Sequence, residues 1–149
     1  MSDPNPPSRA KILGHPIHPM LVSFPITCFV GAFVTDYVYW RTAEMQWANF
    51  SVWLITAGLI TGLFAAIAGL TDFLGSREIR ALGTAWVHGA GNGLALILSL
   101  FNVFVHSRDA YTSVVPTGLI LSGVVVLILI VTGWLGGELV FRQRVGVSK

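Results

Sequence analysis

Four long apolar stretches, separated by short polar connections, make up most of this chain. They lie near residues 19–40, 48–74, 85–106 and 114–141. Each stretch is long enough to cross a hydrocarbon core of about 30 Å as a helix. None of them alternates between apolar and polar residues as membrane β-strands do. The pattern predicts an all-α integral membrane protein, with an irregular polar segment over residues 1–13 and a four-helix up-and-down bundle over residues 14–149.

The composition agrees with a membrane protein, because 54% of the 149 residues are hydrophobic and only 11% are charged. Seven of the nine basic residues lie before the first stretch, between the second and third, or after the fourth: Arg9, Lys11, Arg77, Arg80, Arg142, Arg144 and Lys149. Basic residues favour the cytoplasmic side of a bilayer, so we expect both termini in the cytoplasm and Arg41 and Arg108 outside. The sequence has no basic patch with interleaved aromatic residues, the pattern that would indicate nucleic-acid binding.

Two of the stretches each carry a pair of titratable residues 18 positions apart. The first stretch has His18 and Asp36, and the third has His88 and His106. This separation is about five helical turns, so both members of a pair project from one face. The same face of the third helix presents a row at steps of three and four: Asn92, Ala95, Ser99 and Asn102. Ionisable groups in a membrane usually face a bundle interior, so the row marks a candidate site.

The up-and-down order of the helices predicts how the two pairs meet. The first and third helices run parallel, so His18 should face His88 and Asp36 should face His106. At the cytoplasmic level, six polar residues from four helices are expected to converge: His15, His18, Asp72, His88, Asn92 and Glu138. The opposite level has only its one pair. We therefore expect the functional site at the cytoplasmic level.

The residues around His18 and His88 suggest room for a ligand. In the sequence from His15 to Pro19, the last proline is expected to open the first helix, with His18 as its cap at the mouth of the bundle. Three glycines beside His88 would leave a hollow for a flat ligand: Gly89, Gly91 and Gly93.

Structural roles also explain these residues. The histidines can cap helices at the interface, and the polar row of the third helix can form interhelical hydrogen bonds. Asp72 can pair with the connection that contains Arg77 and Arg80. Glu138 can pair with Arg142, four positions further along the same helix. The residue pattern alone leaves both interpretations open.

Four motifs give the chain a resemblance to a known family. They are Gly14-His15-Pro16-Ile17-His18-Pro19 with Phe24-Pro25, Gly69-Leu70-Thr71-Asp72-Phe73, His88 with Asn92, and Gly133-Trp134-Leu135-Gly136-Gly137-Glu138-Leu139-Val140. In this order they resemble a bacterial membrane-protein family, domain of unknown function 2231. The resemblance implies a multi-pass, four-helix protein of the bacterial inner membrane. Association of some family members with Rieske-type iron–sulfur domains implies redox chemistry and a haem-bearing cytochrome.

Three functions follow from these expectations. In the first, the protein is an electron-transfer subunit whose b-type haem is bound by His18 and His88, beside Gly89, Asn92 and Gly93. In the second, it is a non-catalytic accessory or structural subunit with a membrane or redox protein partner, or a homodimer. In the third, one transition-metal ion is bound by imidazoles and a carboxylate drawn from His15, His18, His88, Asp72 and Glu138. The sequence shows no activated nucleophile or phosphate-binding loop, so we expect no enzymatic activity.

Overall fold

The structure is a computed structural model that describes residues 5–147, apart from the side chains of residues 110 and 111. Four long helical spans form most of this part of the chain. The spans are Ile17–Thr42, Met45–Gly75, Gly83–His106 and Val114–Arg142. Each is long and apolar enough to cross a membrane, and the predicted all-α four-helix fold is confirmed. The 31 residues of the second span extend over about 46 Å, so its ends reach beyond a hydrocarbon core of about 30 Å.

The first span is divided into helices α1 (Ile17–Leu21) and α2 (Ser23–Thr42). Pro25 has no backbone N–H, so the carbonyl four residues before it loses its usual partner and the helix is interrupted there. The prediction that His18 caps the first helix is wrong, because His18 lies inside the first turn. Pro16 takes the cap position, with φ −60° and an extended ψ of 128°. The ring of Pro16 holds φ near this value. The helix therefore begins at Ile17, earlier than the predicted start at Pro19.

The second and third spans are helices α3 (Met45–Gly75) and α5 (Gly83–His106), joined by a connection that contains α4 (Arg77–Arg80). The Ser76 hydroxyl oxygen caps α4 by accepting a backbone N–H. The same hydroxyl donates to the Glu78 carboxylate at 2.7 Å, and this hydrogen bond lowers the pKa of Glu78. The connection is thus ordered by its own hydrogen bonds.

The fourth span begins with a distorted segment. Helix α6 (Ala110–Ser113) leads into a π-helical turn (Val114–Gly118), then α7 (Leu119–Gly137) and a second π-helical turn (Glu138–Arg142). Val115 has extended dihedrals, φ −116° and ψ 120°. The next residue is a proline, and the position before a proline is sterically driven out of the helical region. Regular helix in this span therefore begins at α7.

Each span buries residues at alternating steps of three and four. They include Pro25, Phe29, Ala32, Asp36 and Tyr39 in α2; Ala48, Ser51, Ile55, Gly58, Gly62 and Ala65 in α3; Ala95, Ser99, Asn102 and His106 in α5; and Ser122, Val125, Leu129 and Thr132 in α7. This spacing is typical of helices that pack side by side with interlocking side chains. Large apolar side chains are exposed on the outside, as expected where the solvent is lipid.

The four long helices form a ring in cross-section. α2 packs against α3 and α7, and α5 also packs against α3 and α7. The helices α2 and α5 therefore lie on one diagonal, and α3 and α7 lie on the other. The connections make α2 and α5 parallel. Inward side chains of α2 and α5 consequently face each other across the bundle axis.

Both ends of the described chain lie at the same end of the bundle, here called the terminal end. Two short strands pair antiparallel there, β1 (Lys11–Ile12) with β2 (His15–Pro16). The N–H of Gly146 donates to the carbonyl of Pro6 at 2.8 Å, which joins the two terminal segments. The opposite end, called the distal end, carries the connections from α2 to α3 and from α5 to α6.

Close packing of α2 on α3 depends on Gly58, where an added Cβ would lie 2.7 Å from the ring of Phe29. We expect Gly58→Leu to destabilise the bundle by about 1–3 kcal/mol, the usual cost of overpacking a core. Gly93→Leu is the matched control, because an added Cβ at Gly93 meets no atom within 4 Å. Thermal unfolding in one detergent compares the variants, and equal midpoints would contradict the predicted difference.

Candidate functional site

Two layers of polar side chains lie across the bundle axis, one towards each end. The terminal layer is formed by His18 and His88, and the distal layer by Asp36 and His106. In both layers one residue comes from the first span and the other from α5. The predicted pairing of His18 with His88 and of Asp36 with His106 is therefore confirmed.

His18 is held against α3 by backbone atoms. Its Nδ1–H donates to the carbonyl oxygen of Ala65 at 2.7 Å. Its ring lies on Gly69, where an added Cβ would be 2.9 Å from His18 Cε1. A carbonyl can only accept a hydrogen bond, so Nδ1 carries a proton and a neutral ring keeps its free electron pair on Nε2.

His88 is held against α7 in the same way. Its Nδ1–H donates to the carbonyl oxygen of Thr132 at 2.9 Å, and an added Cβ at Gly136 would be 3.1 Å from His88 Cε1. Asn92 donates to the His88 carbonyl at 2.8 Å, and its side-chain nitrogen lies 3.4 Å from His88 Nε2. The Thr132 hydroxyl donates to Asn92 Oδ1 at 3.2 Å. Asn92 therefore helps to fix the His88 ring.

The two imidazoles of the terminal layer are arranged as a pair of nitrogen donors. Their ring centres are 6.1 Å apart and their planes are inclined by 85°. Both side chains are half-buried. Histidines that bind metals commonly donate the other ring N–H to a carbonyl, which orients the ring and leaves the second nitrogen as the ligand. In the terminal layer, both rings have this Nδ1–carbonyl hydrogen bond.

The glycines next to His88 do not form the predicted hollow between the rings. Gly89 and Gly93 lie on the exposed side of α5, where an added Cβ would contact nothing within 4 Å. Gly91 faces α7, and an added Cβ would come within 2.5 Å of Thr132. The prediction did not account for the turn of about 100° per residue, which directs neighbouring glycines to different faces.

The five residues considered as ligands for a metal ion are not brought together. His15 is exposed on β2, away from the paired rings. Glu138 forms an ion pair with Arg142, with Oε2 and Nε 3.5 Å apart, as the structural alternative predicted. Among residues 5–147, no three His, Cys, Asp or Glu side chains gather in a group that could hold a metal ion.

Asp72 binds the N-terminal segment instead of a ligand. Its Oδ1 accepts hydrogen bonds from the N–H of Arg9 at 2.5 Å and of Ala10 at 2.7 Å, and the Ser8 hydroxyl lies 3.0 Å from both carboxylate oxygens. Arg80, predicted as a partner of Asp72, donates to two carbonyls at the C-terminal end of α3. The hydrogen bonds to the Asp72 carboxylate thus come largely from the backbone of the N-terminal segment. The path of this segment could not be predicted from the sequence pattern.

The distal layer is a larger hydrogen-bonded network than the sequence predicted. His106 Nε2 lies 2.8 Å from Asp36 Oδ1, and the Ser122 hydroxyl donates to Asp36 Oδ2 at 2.6 Å. Asn102 Nδ2 donates to the Ser122 oxygen at 2.8 Å. Beside this network, the hydroxyls of Thr35 and Ser51 are 2.7 Å apart and join α2 to α3. These side chains are buried.

The residues that the sequence reasoning missed lie on the fourth span. Ser122 and Thr132 complete the two layers, and Gly118 and Gly136 make room for the rings of His106 and His88. All four lie on the inward face of this span, at the same steps of three and four that marked the row on α5. A search of the fourth stretch for this periodicity would have found them.

A protein family matches the chain over most of its length. The family is described as predicted membrane protein (DUF2231), and the match covers residues 14–149. It confirms the family predicted from the four motifs. No curated protein and no solved structure matches the chain. The chemistry of the site must therefore be inferred from its side chains.

The contacts of Asp72 predict a role in holding the N-terminal segment. We expect Asp72→Asn to weaken the hydrogen bonds from Arg9 and Ala10 by about 1–3 kcal/mol, because a charged acceptor is replaced by a neutral one. Amide hydrogen exchange at these two residues should become faster. Glu138→Gln is the control, since that carboxylate pairs only near the surface. Unchanged exchange in Asp72→Asn would show that the carboxylate does not hold the segment.

Proposed function

Because the chain belongs to the family of predicted membrane proteins DUF2231, we propose a function within the bilayer: it binds one haem b between His18 and His88 and acts as an electron-transfer subunit. The observation that carries this proposal is the geometry of the two imidazoles. The ring centres lie 6.1 Å apart across the bundle axis, and these two histidines would be the residues that hold the group.

The hydrogen bonds of the two rings support the same assignment. Each Nδ1–H is bound to a backbone carbonyl, of Ala65 for His18 and of Thr132 for His88. The carbonyl bond raises the strength of the other ring nitrogen as a ligand, and at His88 the group would replace the Asn92 amide, which lies 3.4 Å from Nε2. A haem held by two histidines would supply one-electron transfer at this level of the membrane, without catalysis by the chain itself.

The other diagonal of the bundle makes room for the two rings themselves. At this level α3 and α7 contribute Gly69 and Gly136, so no side chain from these positions fills the region that the imidazoles occupy. Small residues at facing positions allow flat groups and backbones to approach closely. The fit therefore depends on Gly69 and Gly136 and not on Gly89 and Gly93.

A second candidate is a subunit of a larger membrane assembly or a homodimer. Gly89 and Gly93 on α5 and Gly133 on α7 are exposed, and an added Cβ at each would meet no atom within 4 Å. Exposed glycines four apart on a membrane helix are typical of surfaces on which another helix packs. This face supports a membrane or redox protein partner, whether or not the terminal layer binds haem.

The haem proposal is tested by a dithionite-reduced minus oxidised spectrum, with metal analysis, on protein purified from haem-sufficient cells. We expect a haem band in the wild type that is lost in His18→Ala and in His88→Ala, because each variant removes one iron ligand. His15→Ala is the matched control and should keep the band, since His15 is exposed on β2.

A colourless, metal-free wild type would overturn the haem proposal and leave the assembly role. A bound metal without a haem band would favour a transition-metal ion on the same two imidazoles. A band that survives both histidine variants would show that another site binds the haem.

We also propose that the terminal end faces the cytoplasm of a bacterium, with the protein in the inner membrane. The basic residues near this end support the orientation: Arg9, Lys11, Arg77, Arg80, Arg142 and Arg144. A reporter fused after Lys149 should be active only as a cytoplasmic reporter, and one inserted after Ala43 only as a periplasmic reporter. The reverse pattern would invert the proposed orientation.

A further inference from the structure

Asp36 and His106 are in direct contact inside the bundle. Asp36 Oδ1 lies 2.8 Å from His106 Nε2, and the exposed fraction of both side chains is 0%. Within residues 5–147, neither group forms an ion pair with a third residue. Ionisable groups inside a membrane bundle are costly and are usually paired or functional. The number of protons bound to the pair sets its net charge, and the net charge therefore decides whether its burial is tolerated.

The partners of His106 determine how many protons the pair contains. His106 Nδ1 lies 2.9 Å from the carbonyl oxygen of Asn102, which can only accept, so Nδ1 carries one proton. The contact of 2.8 Å between Nε2 and Asp36 Oδ1 requires a second proton between these atoms. The pair has zero net charge, whether this second proton is bound to nitrogen or to oxygen.

The remaining contacts enclose the carboxylate. Asp36 Oδ2 accepts a hydrogen bond from Ser122, whose oxygen accepts one from Asn102. Asn102 therefore contacts both ends of the network, through its backbone carbonyl at His106 and through its side chain at Ser122. Loss of the shared proton would leave one uncompensated negative charge in a buried site, which is strongly unfavourable.

The elements packed around the pair contribute uncharged groups to it. On the fourth span these are Ser122 and Gly118, where an added Cβ would lie 2.6 Å from His106 Cε1. On α3 the polar group at this level is Ser51, which hydrogen-bonds to the backbone of α2. Tyr39, about one turn beyond Asp36 on α2, has its hydroxyl 4.0 Å from a methionine sulfur. In the described part of the chain, the charge of the layer is thus set by Asp36 and His106.

Two buried polar atoms beside the pair lack a hydrogen-bond partner. Ser99 Oγ and Asn102 Oδ1 have no hydrogen-bond partner in the protein, although these residues are only 1% and 2% exposed. Both residues line a narrow central cleft together with Ser122. The cleft is too narrow to hold a water molecule, so these two atoms stay without a hydrogen-bond partner beside the network that holds Asp36.

We propose that the distal layer is a proton-binding site, in which one proton is held between Asp36 Oδ1 and His106 Nε2. The ligand is the proton itself, which the carboxylate and the imidazole share. This site is independent of any ligand between His18 and His88. Its two stabilising residues, Ser122 and Asn102, accept and donate hydrogen bonds but do not change charge.

The site is tested by solid-state NMR of histidine-labelled protein in lipid bilayers at about pH 8, where an unpaired histidine is neutral. Infrared spectra of the same samples detect a protonated carboxyl group. We expect one of the four histidines to be protonated at both nitrogens, or one carboxyl group to be protonated. A through-space correlation between the His106 ring and the Asp36 carboxyl carbon assigns the signal in the wild type, without any substitution.

Variants then identify the groups that hold the proton. Asp36→Asn should abolish the doubly protonated histidine signal or the carboxyl band, and Asp72→Asn, which removes the other buried carboxylate, should leave it unchanged. Four singly protonated histidines with no protonated carboxyl group in the wild type would overturn the proposal. A signal that persists in Asp36→Asn would also overturn it. If Asp36→Asn does not fold, the wild-type correlation alone decides.

Discussion

Polar side chains on the inward faces of these helices must find partners on neighbouring helices, and this requirement sets the axial register of the bundle. Apolar contacts discriminate weakly between registers in lipid, because a lipid tail is as apolar as a leucine side chain. The hydrogen bonds from His18 to the Ala65 carbonyl and from His88 to the Thr132 carbonyl do discriminate. A shift of one residue moves a helix by about 1.5 Å along its axis, which is enough to break such a bond.

The two layers satisfy this requirement in different chemical ways. In the distal layer, His106 contacts one oxygen of Asp36, and Ser122 donates a hydrogen bond to the other. The terminal layer has two imidazoles and no carboxylate between them, because Asp72 is occupied by the N-terminal segment. The terminal layer thus places two imidazoles side by side, whereas the distal layer places an acid and a base in direct contact. The difference in chemistry thus follows from the location of the carboxylates.

Periodicity predicted much of this arrangement, but only within single helices. The five-turn spacing identified both pairs, since residues 18 positions apart share a helix face. It could not show that Asp72 binds the backbone of residues 9 and 10, because an irregular segment has no period from which its path can be read. It also misassigned Gly89 and Gly93, because the orientation of a glycine towards a ring depends on which helices are neighbours in the bundle. Hydroxyl groups such as Ser122 gave little signal, since in membrane helices they often bond to their own backbone.

The glycines that contact the histidines connect the packing of the bundle to its chemistry. The rings of His18, His88 and His106 lie on Gly69, Gly136 and Gly118, each on a neighbouring span. A side chain at any of these glycines would push the ring away and break the Nδ1–H bond that orients it. All three histidines are therefore fixed at Nδ1 by the same combination of a carbonyl and a glycine. The surroundings of the rings then distinguish the two layers: Nε2 of His106 contacts an aspartate, whereas Nε2 of His88 lies beside the Asn92 amide and its ring lies next to that of His18.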